Sequence, residues 1–182
     1  MTINLVGTYQ QCSNEFGYSS NSAPKRVLTK LSKGVFNDKY DNAEHDYICR
    51  VGDEIVNPDG YSYEILERLG HGTFGQVLKC QPGSGGHSVA LKIIKNKPAY
   101  FHQALVEVQL LKMLNEQFDC DDRQRIVRML DFFVYRKHLC ISFELLSVNL
   151  YEVLKQNSFR GVSMQLIRVL TEQLLKALKC LR

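Results

Sequence analysis

Gly70, Gly72 and Gly75 interrupt two β-prone runs, and that arrangement limits the folds open to this chain more than any other feature. Upstream, Tyr63-Glu64-Ile65-Leu66-Glu67-Arg68-Leu69 has the alternation of a strand. Downstream, Gln76-Val77-Leu78-Lys79-Cys80 reads as the returning strand, ended by Gln81-Pro82-Gly83. The loop between them, Gly70-His71-Gly72-Thr73-Phe74-Gly75, has the G-x-G-x-x-G spacing that dinucleotide-binding folds also use. Those folds need a helix to start at the loop and aim its N-terminus at pyrophosphate. Here a strand follows, and the missing β-α-β pattern excludes that reading. A hairpin flap remains, whose glycines let backbone N–H groups approach a phosphate and whose Phe74 stands at the tip. Taken alone, the loop reads equally as a plain glycine-rich hairpin.

Two later residues decide between these readings. Ser88 to Ile94 reads as a third strand, with Ala90, Lys92 and Ile94 on one face and Val89, Leu91 and Ile93 on the other. After Pro98, apolar positions at Ala104, Val108, Leu111 and Leu114 predict a helix, and Glu107 falls inside its inward stripe. An ammonium and a carboxylate among apolar residues are each costly unless paired. Facing each other they satisfy both demands, leaving Lys92 aimed at phosphate oxygens above a small Ala90. Either residue alone reads more simply: Lys92 reaching water, Glu107 closing the seam. Their joint occurrence behind the glycine loop argues against that.

The rest of the chain is consistent with one α+β domain and a tail. Residues 1–33 are polar and turn-rich and are expected to form a flexible tail. Residues 34–60 mix acidic, amide and aromatic residues and are expected to pack irregularly on the domain that begins near Tyr61. Arg125 to Val134 and His138 to Phe143 read as two more strands, joined by Tyr135-Arg136-Lys137. Asn149 to Lys155 and Ser163 to Leu181 read as amphipathic helices. With 23 Lys and Arg against 19 Asp and Glu, the net charge of +4 comes without a dense basic run, so nucleic-acid binding is not expected. The six cysteines, Cys12, Cys49, Cys80, Cys120, Cys140 and Cys180, are dispersed without zinc-ligand spacing, and free thiols are expected over a disulfide framework. No signal peptide and no run of about 18 apolar residues is present, so the expected location is intracellular, in cytoplasm or nucleus, away from membranes.

Glycine loop, strand lysine and helix glutamate together resemble the small lobe of a eukaryotic protein kinase. Val89-Ala90-Leu91-Lys92-Ile93-Ile94-Lys95-Asn96-Lys97, Glu107-Val108-Gln109-Leu110-Leu111 and Phe143-Glu144-Leu145-Leu146-Ser147-Val148-Asn149-Leu150-Tyr151 are similar to the dual-specificity tyrosine-regulated (DYRK) family. Lys97-Pro98-Ala99-Tyr100 and Lys155-Gln156-Asn157-Ser158-Phe159-Arg160-Gly161 point to its Yak-like members. The resemblance implies a small lobe of five antiparallel strands and one regulatory helix over residues 61–146, with hinge. It implies the start of a large lobe over residues 147–182, and a family homology box over residues 34–60. It also implies ATP as ligand. Gly70, Gly72, Thr73, Phe74 and Gly75 would form the phosphate flap, and Leu69, Val77 and Ala90 would line the adenine pocket. Phe143 would be the gatekeeper, Glu144 and Leu146 the hinge groups reading adenine, and Asn149 a neighbour of the ribose. Lys92 and Glu107 carry the catalytic pair.

Other parts of the family pattern are absent from these 182 residues. Neither an H-x-D catalytic loop nor a D-F-G motif occurs, so the Asp that orients the substrate hydroxyl and the ligands of Mg²⁺ have no counterparts. Asp131-Phe132-Phe133 lacks the glycine and precedes the hinge; Glu44-His45-Asp46 precedes the whole lobe. The expected activity is therefore that of the ATP-binding portion of a Ser/Thr/Tyr protein kinase, inactive in phosphotransfer by itself. The alternative is a non-catalytic regulatory fragment that docks on a kinase or its substrates. The last helix is apolar over more than one stripe, so it is expected to be covered, or to take a hydrophobic partner.

Overall fold

The computed structural model describes residues 11, 12 and 25–182. Its centre is a six-stranded antiparallel sheet in the order β1-β2-β3-β4-β6-β5. The strands are β1 (Glu54–Val56), β2 (Ser62–Gly72), β3 (Gly75–Pro82), β4 (Val89–Ile94), β5 (Met129–Tyr135) and β6 (His138–Glu144). Helix α1 (Pro98–Met113) crosses between β4 and β5 and runs into a π-helical turn, Leu114–Phe118. Two helices come after the sheet, α2 (Leu150–Gln156) and α3 (Met164–Cys180).

The alternation read from the sequence sorts the core onto two faces of the sheet. Leu91 and Ile93 of β4 join Cys140 of β6, Ile65 of β2 and Leu78 of β3 in one buried cluster. Ile94, Leu139 and Ile141 face the other way and bury Ala104 and Val108 of α1. Successive strand residues point to opposite faces, so one period-2 pattern serves both layers. Pro98 starts α1 where its missing N–H costs nothing. Arg136 and Lys137 adopt left-handed backbone at φ 45° and 69°, which makes a tight hairpin between β5 and β6.

The expected fold class is present, with one strand more than the five expected. That strand, β1, comes from the homology-box residues, which were expected to pack irregularly. It pairs with β2 through Glu54 and Glu64, Ile55 and Tyr63, Val56 and Ser62. Order also begins earlier than residue 34. Val27 bridges Arg50, Leu28 N donates to Cys49 O at 2.9 Å, and Thr29 is buried. The remainder of the expected tail, residues 1–10 and 13–24, lies outside the described residues.

A fully buried histidine–carboxylate contact joins this N-terminal segment to the sheet. His138 Nδ1 lies 2.7 Å from Ile94 O and its Nε2 lies 2.8 Å from Asp41 Oδ1, both side chains being fully buried. Asn96 Nδ2 donates to the other Asp41 oxygen at 2.9 Å. The Arg136 guanidinium covers the Tyr40 ring at 3.6 Å. Beyond the sheet, Asn149 caps α2 by accepting from Glu152 N at 2.8 Å, and Ser163 caps α3 through Leu166 N. No α3 residue is buried among the described residues, and Leu174, Leu175 and Leu178 are exposed. The covering expected from its apolar breadth is thus not supplied by the described part of the chain. None of the described helices is long and apolar enough to cross a membrane.

Candidate functional site

Strand β2 does not break at Gly70, as the sequence suggested, but continues through Gly72 and pairs with β3 up to Gly72 opposite Gly75. Thr73 and Phe74 form the turn. Gly75, at φ 152°, passes so close to β4 that a Cβ there would meet Ile93 O at 2.0 Å. Glycine is required at this point by contact with the neighbouring strand. At Gly70 and Gly72 the opposite holds: a Cβ would meet nothing within 4 Å, so the hairpin offers open backbone.

Lys92 and Glu107 meet as the sequence predicts. Lys92 Nζ lies 2.7 Å from Glu107 Oε1 and 2.8 Å from Oε2, a chelated, charge-assisted contact. Both groups are part-exposed, the lysine side chain to 23% and the glutamate to 38%. They line one side of an open cleft of about 440 Å³. The same cleft is lined by Leu69, Val77, Ala90, Phe143, Glu144 and Leu146, so eight of the predicted site residues gather around one space. It also takes in Leu111, Val127 and Leu145, which sequence reasoning did not assign to it. Leu111 was legible as the next inward position of α1 after Glu107. Val127 precedes β5 and reaches the cleft only because β5 and β6 pair as a hairpin.

The remaining predicted residues stand apart from the cleft wall. Gly70, Gly72, Thr73 and Gly75 belong to the hairpin. Phe74 packs edge-on against Tyr100 of α1, with ring centroids 5.4 Å apart at 86°, and so leans on the helix. Asn149 spends its side-chain oxygen on the α2 cap. Glu144 Oε1 accepts from Arg128 N at 2.9 Å, which ties the end of β6 to the approach to β5. Of the two look-alike motifs, Asp131 holds Asn57 Nδ2 at 3.0 Å and the Tyr63 hydroxyl at 3.2 Å, an anchor on the far side of the sheet. Asp46 lies against the glycine hairpin, through His71.

The arrangement can do specific chemistry: an ammonium is fixed by a carboxylate at the back of an apolar slot, with bare backbone amides of a hairpin beside it. Those are the elements of a nucleoside phosphate site, and they define a class. The model of the protein kinase domain matches residues 63–182, and the chain belongs to the protein kinase family. Within that family its similarity lies with the Yak-like, dual-specificity tyrosine-regulated kinases. It is 46% identical over its whole length to the serine/threonine-protein kinase ppk15 of Schizosaccharomyces pombe, covering 34% of that protein. It is 45% identical, again over its whole length, to the dual specificity protein kinase YAK1 of Saccharomyces cerevisiae, covering 23% of it. Over 84% of the chain it is 43% identical to the human dual specificity tyrosine-phosphorylation-regulated kinase 4, of which it spans 28%. The chain thus spans about a third or less of the length of these curated relatives. Members of the family use ATP with Mg²⁺ and act on proteins.

Proposed function

We propose that this chain supplies the ATP-binding part of a protein serine/threonine/tyrosine kinase. The observation that carries the reading is the Lys92–Glu107 chelate at the side of the cleft beside the glycine hairpin. Leu69, Val77 and Ala90 suit the two faces of a flat base, with Phe143 at the back wall. The backbone of Glu144 and Leu146 suits the base's polar edge. Lys92, held in place by Glu107, suits the phosphates from one side, and the backbone of Gly70 to Gly75 suits them from the other. Bound Mg²⁺ would neutralise developing charge on the transferred phosphoryl group; no family-type metal ligand or base motif occurs within residues 1–182.

The 182-residue polypeptide is therefore expected to bind nucleotide without transferring phosphoryl groups. ATP should raise its melting temperature, and Lys92→Met should remove that rise while leaving the unliganded melting temperature within a few degrees. Equal stabilisation of both proteins by ATP would place the nucleotide elsewhere. A radiolabel transfer assay should give no product, and robust phosphorylation by this polypeptide would overturn the second half of the reading.

A further inference from the structure

The glycine hairpin is held from behind at both of its strands by groups of the N-terminal segment, and at its turn by Lys95, just after β4. His71 and Gln76 are direct cross-strand partners, so their side chains leave the hairpin on the same face. His71 Nε2 donates to Asp46 Oδ2 at 3.1 Å. Gln76, fully buried, donates to Tyr47 O at 2.6 Å, and its amide oxygen lies 3.1 Å from the Thr29 hydroxyl. At the turn, Lys95 N donates to Phe74 O at 2.9 Å. Lys95 Nζ then reaches back to Glu44 and Asp46, 3.3 Å from each carboxylate.

The donor atoms of Glu44, Asp46 and His71 lie close enough to hold a metal ion, within 4.8 Å of one another. The Lys95 ammonium stands between the two carboxylates, 3.3 Å from each. Asp46 is only 2% exposed, and its Oδ1 has no hydrogen-bond partner among the described residues. This buried carboxylate is therefore held by two groups, the His71 ring from the hairpin and the Lys95 ammonium just after β4. Withdrawing His71 is costly to the cluster, and that cost restrains the hairpin.

We propose that the segment from Thr29 to Tyr47 is a strap that sets the height of the glycine hairpin over the nucleotide phosphates, with Asp46 and His71 as positioning residues. This rests on the proposed nucleotide site and adds to it two residues outside the cleft wall. Because the strap acts on the hairpin, it bears on affinity for the phosphates and leaves affinity for the base alone untouched.

The test compares ATP and adenosine binding by calorimetry for the wild-type chain, His71→Ala, His71→Lys, Asp46→Asn and the double variant His71→Ala/Asp46→Asn. Hydrogen exchange of amides 71–77 is followed without ligand. His71→Ala is expected to weaken ATP about three- to tenfold, leave adenosine affinity unchanged, lower the melting temperature by a few degrees, and speed exchange in the hairpin. His71→Lys, which keeps a cationic donor for Asp46, should recover most of the loss. The double variant should bind ATP no worse than the weaker single variant. Should Asp46→Asn fail to fold, the exposed-side variant His71→Ala decides alone. ATP affinity and hairpin exchange both unchanged in His71→Ala would overturn the strap. Equal losses for ATP and adenosine would also overturn it, by showing a general structural effect. If the wild-type chain binds neither ligand, the nucleotide-site reading falls, and the exchange rates still decide whether the strap restrains the hairpin.

Discussion

Burial divides five of the six cysteines into two chemical kinds, with Cys180 half-buried between them. Cys49, Cys80 and Cys140 sit in the core between sheet and N-terminal segment, where a thiolate would be poorly solvated. Burial pushes the Cys80 thiol up to about 12 and moves those of Cys49 and Cys140 upward as well. Cys12 and Cys120 are exposed. Because the thiolate is the reactive form, iodoacetamide at about pH 8 should label Cys12 and Cys120 readily and spare the three core cysteines. All should react once the chain is unfolded. Peptide mapping by mass spectrometry reads the outcome, and rapid labelling of Cys80 in the folded chain would contradict its place in the core. The same scale shows how far single residues could be read in advance. Lys92 and Glu107 were legible because each is an ionic residue in an apolar pattern. His71 and Gln76 were not, since nothing local tells a turn histidine or a strand glutamine which distant carbonyl or carboxylate it will meet.

At the scale of elements, the approach to β5 depends on one carboxylate. Asp119 accepts from Arg123 N at 2.7 Å and Gln124 N at 2.8 Å, and more weakly from Ile126 N at 3.4 Å. Arg128 stands 3.5 Å away and also bonds the Asp119 carbonyl. Burial opposes the charge, but the three backbone donors and the guanidinium outweigh it and hold the carboxyl below the ordinary carboxylate range. A depressed folded-state value means the tie is fully made above the unfolded-state value and lost as pH falls through the folded one. Stability measured by urea unfolding should accordingly decline below about pH 4. Asp119→Ala should be less stable at neutral pH and show a flatter acid decline; an unchanged acid profile would remove Asp119 from the account. Elements themselves were legible wherever a period was sustained, as in β4, β6 and α1. Strand β1 was not: three residues carry no measurable period, and their pairing with β2 is a tertiary event.

For the whole molecule, the His138–Asp41 pair is one of the buried ties between the N-terminal segment and the sheet. Removing one side of such a buried, hydrogen-bonded pair strands its partner, which costs about 3–5 kcal/mol. His138→Leu should lower the urea midpoint by a corresponding amount, with the segment around Asp41 becoming protease-sensitive first. A loss below about 1 kcal/mol would mean that the segment is held chiefly by its apolar contacts and the amide donors to Asp41. The outward face of α3 shows the limit of reading apolar breadth as burial. The pattern establishes that Leu174, Leu175 and Leu178 suit a covered surface, and they are exposed among the described residues.

By itself the sequence determined the sheet's alternation, the glycine hairpin, the helix that carries Glu107 and the pairing of that glutamate with Lys92. These come from local periodicity and from the cost of burying an unpaired charge, both written in a few adjacent residues. Only the tertiary structure decided that the segment around residues 27–57 is a working part of the fold, with a strand, a buried histidine–aspartate pair and a grip on the hairpin. The last two join residues 25 to 97 positions apart, such as Asp46 with His71 and Asp41 with His138. A buried polar group must find a partner, but its own neighbourhood in the chain does not say which one.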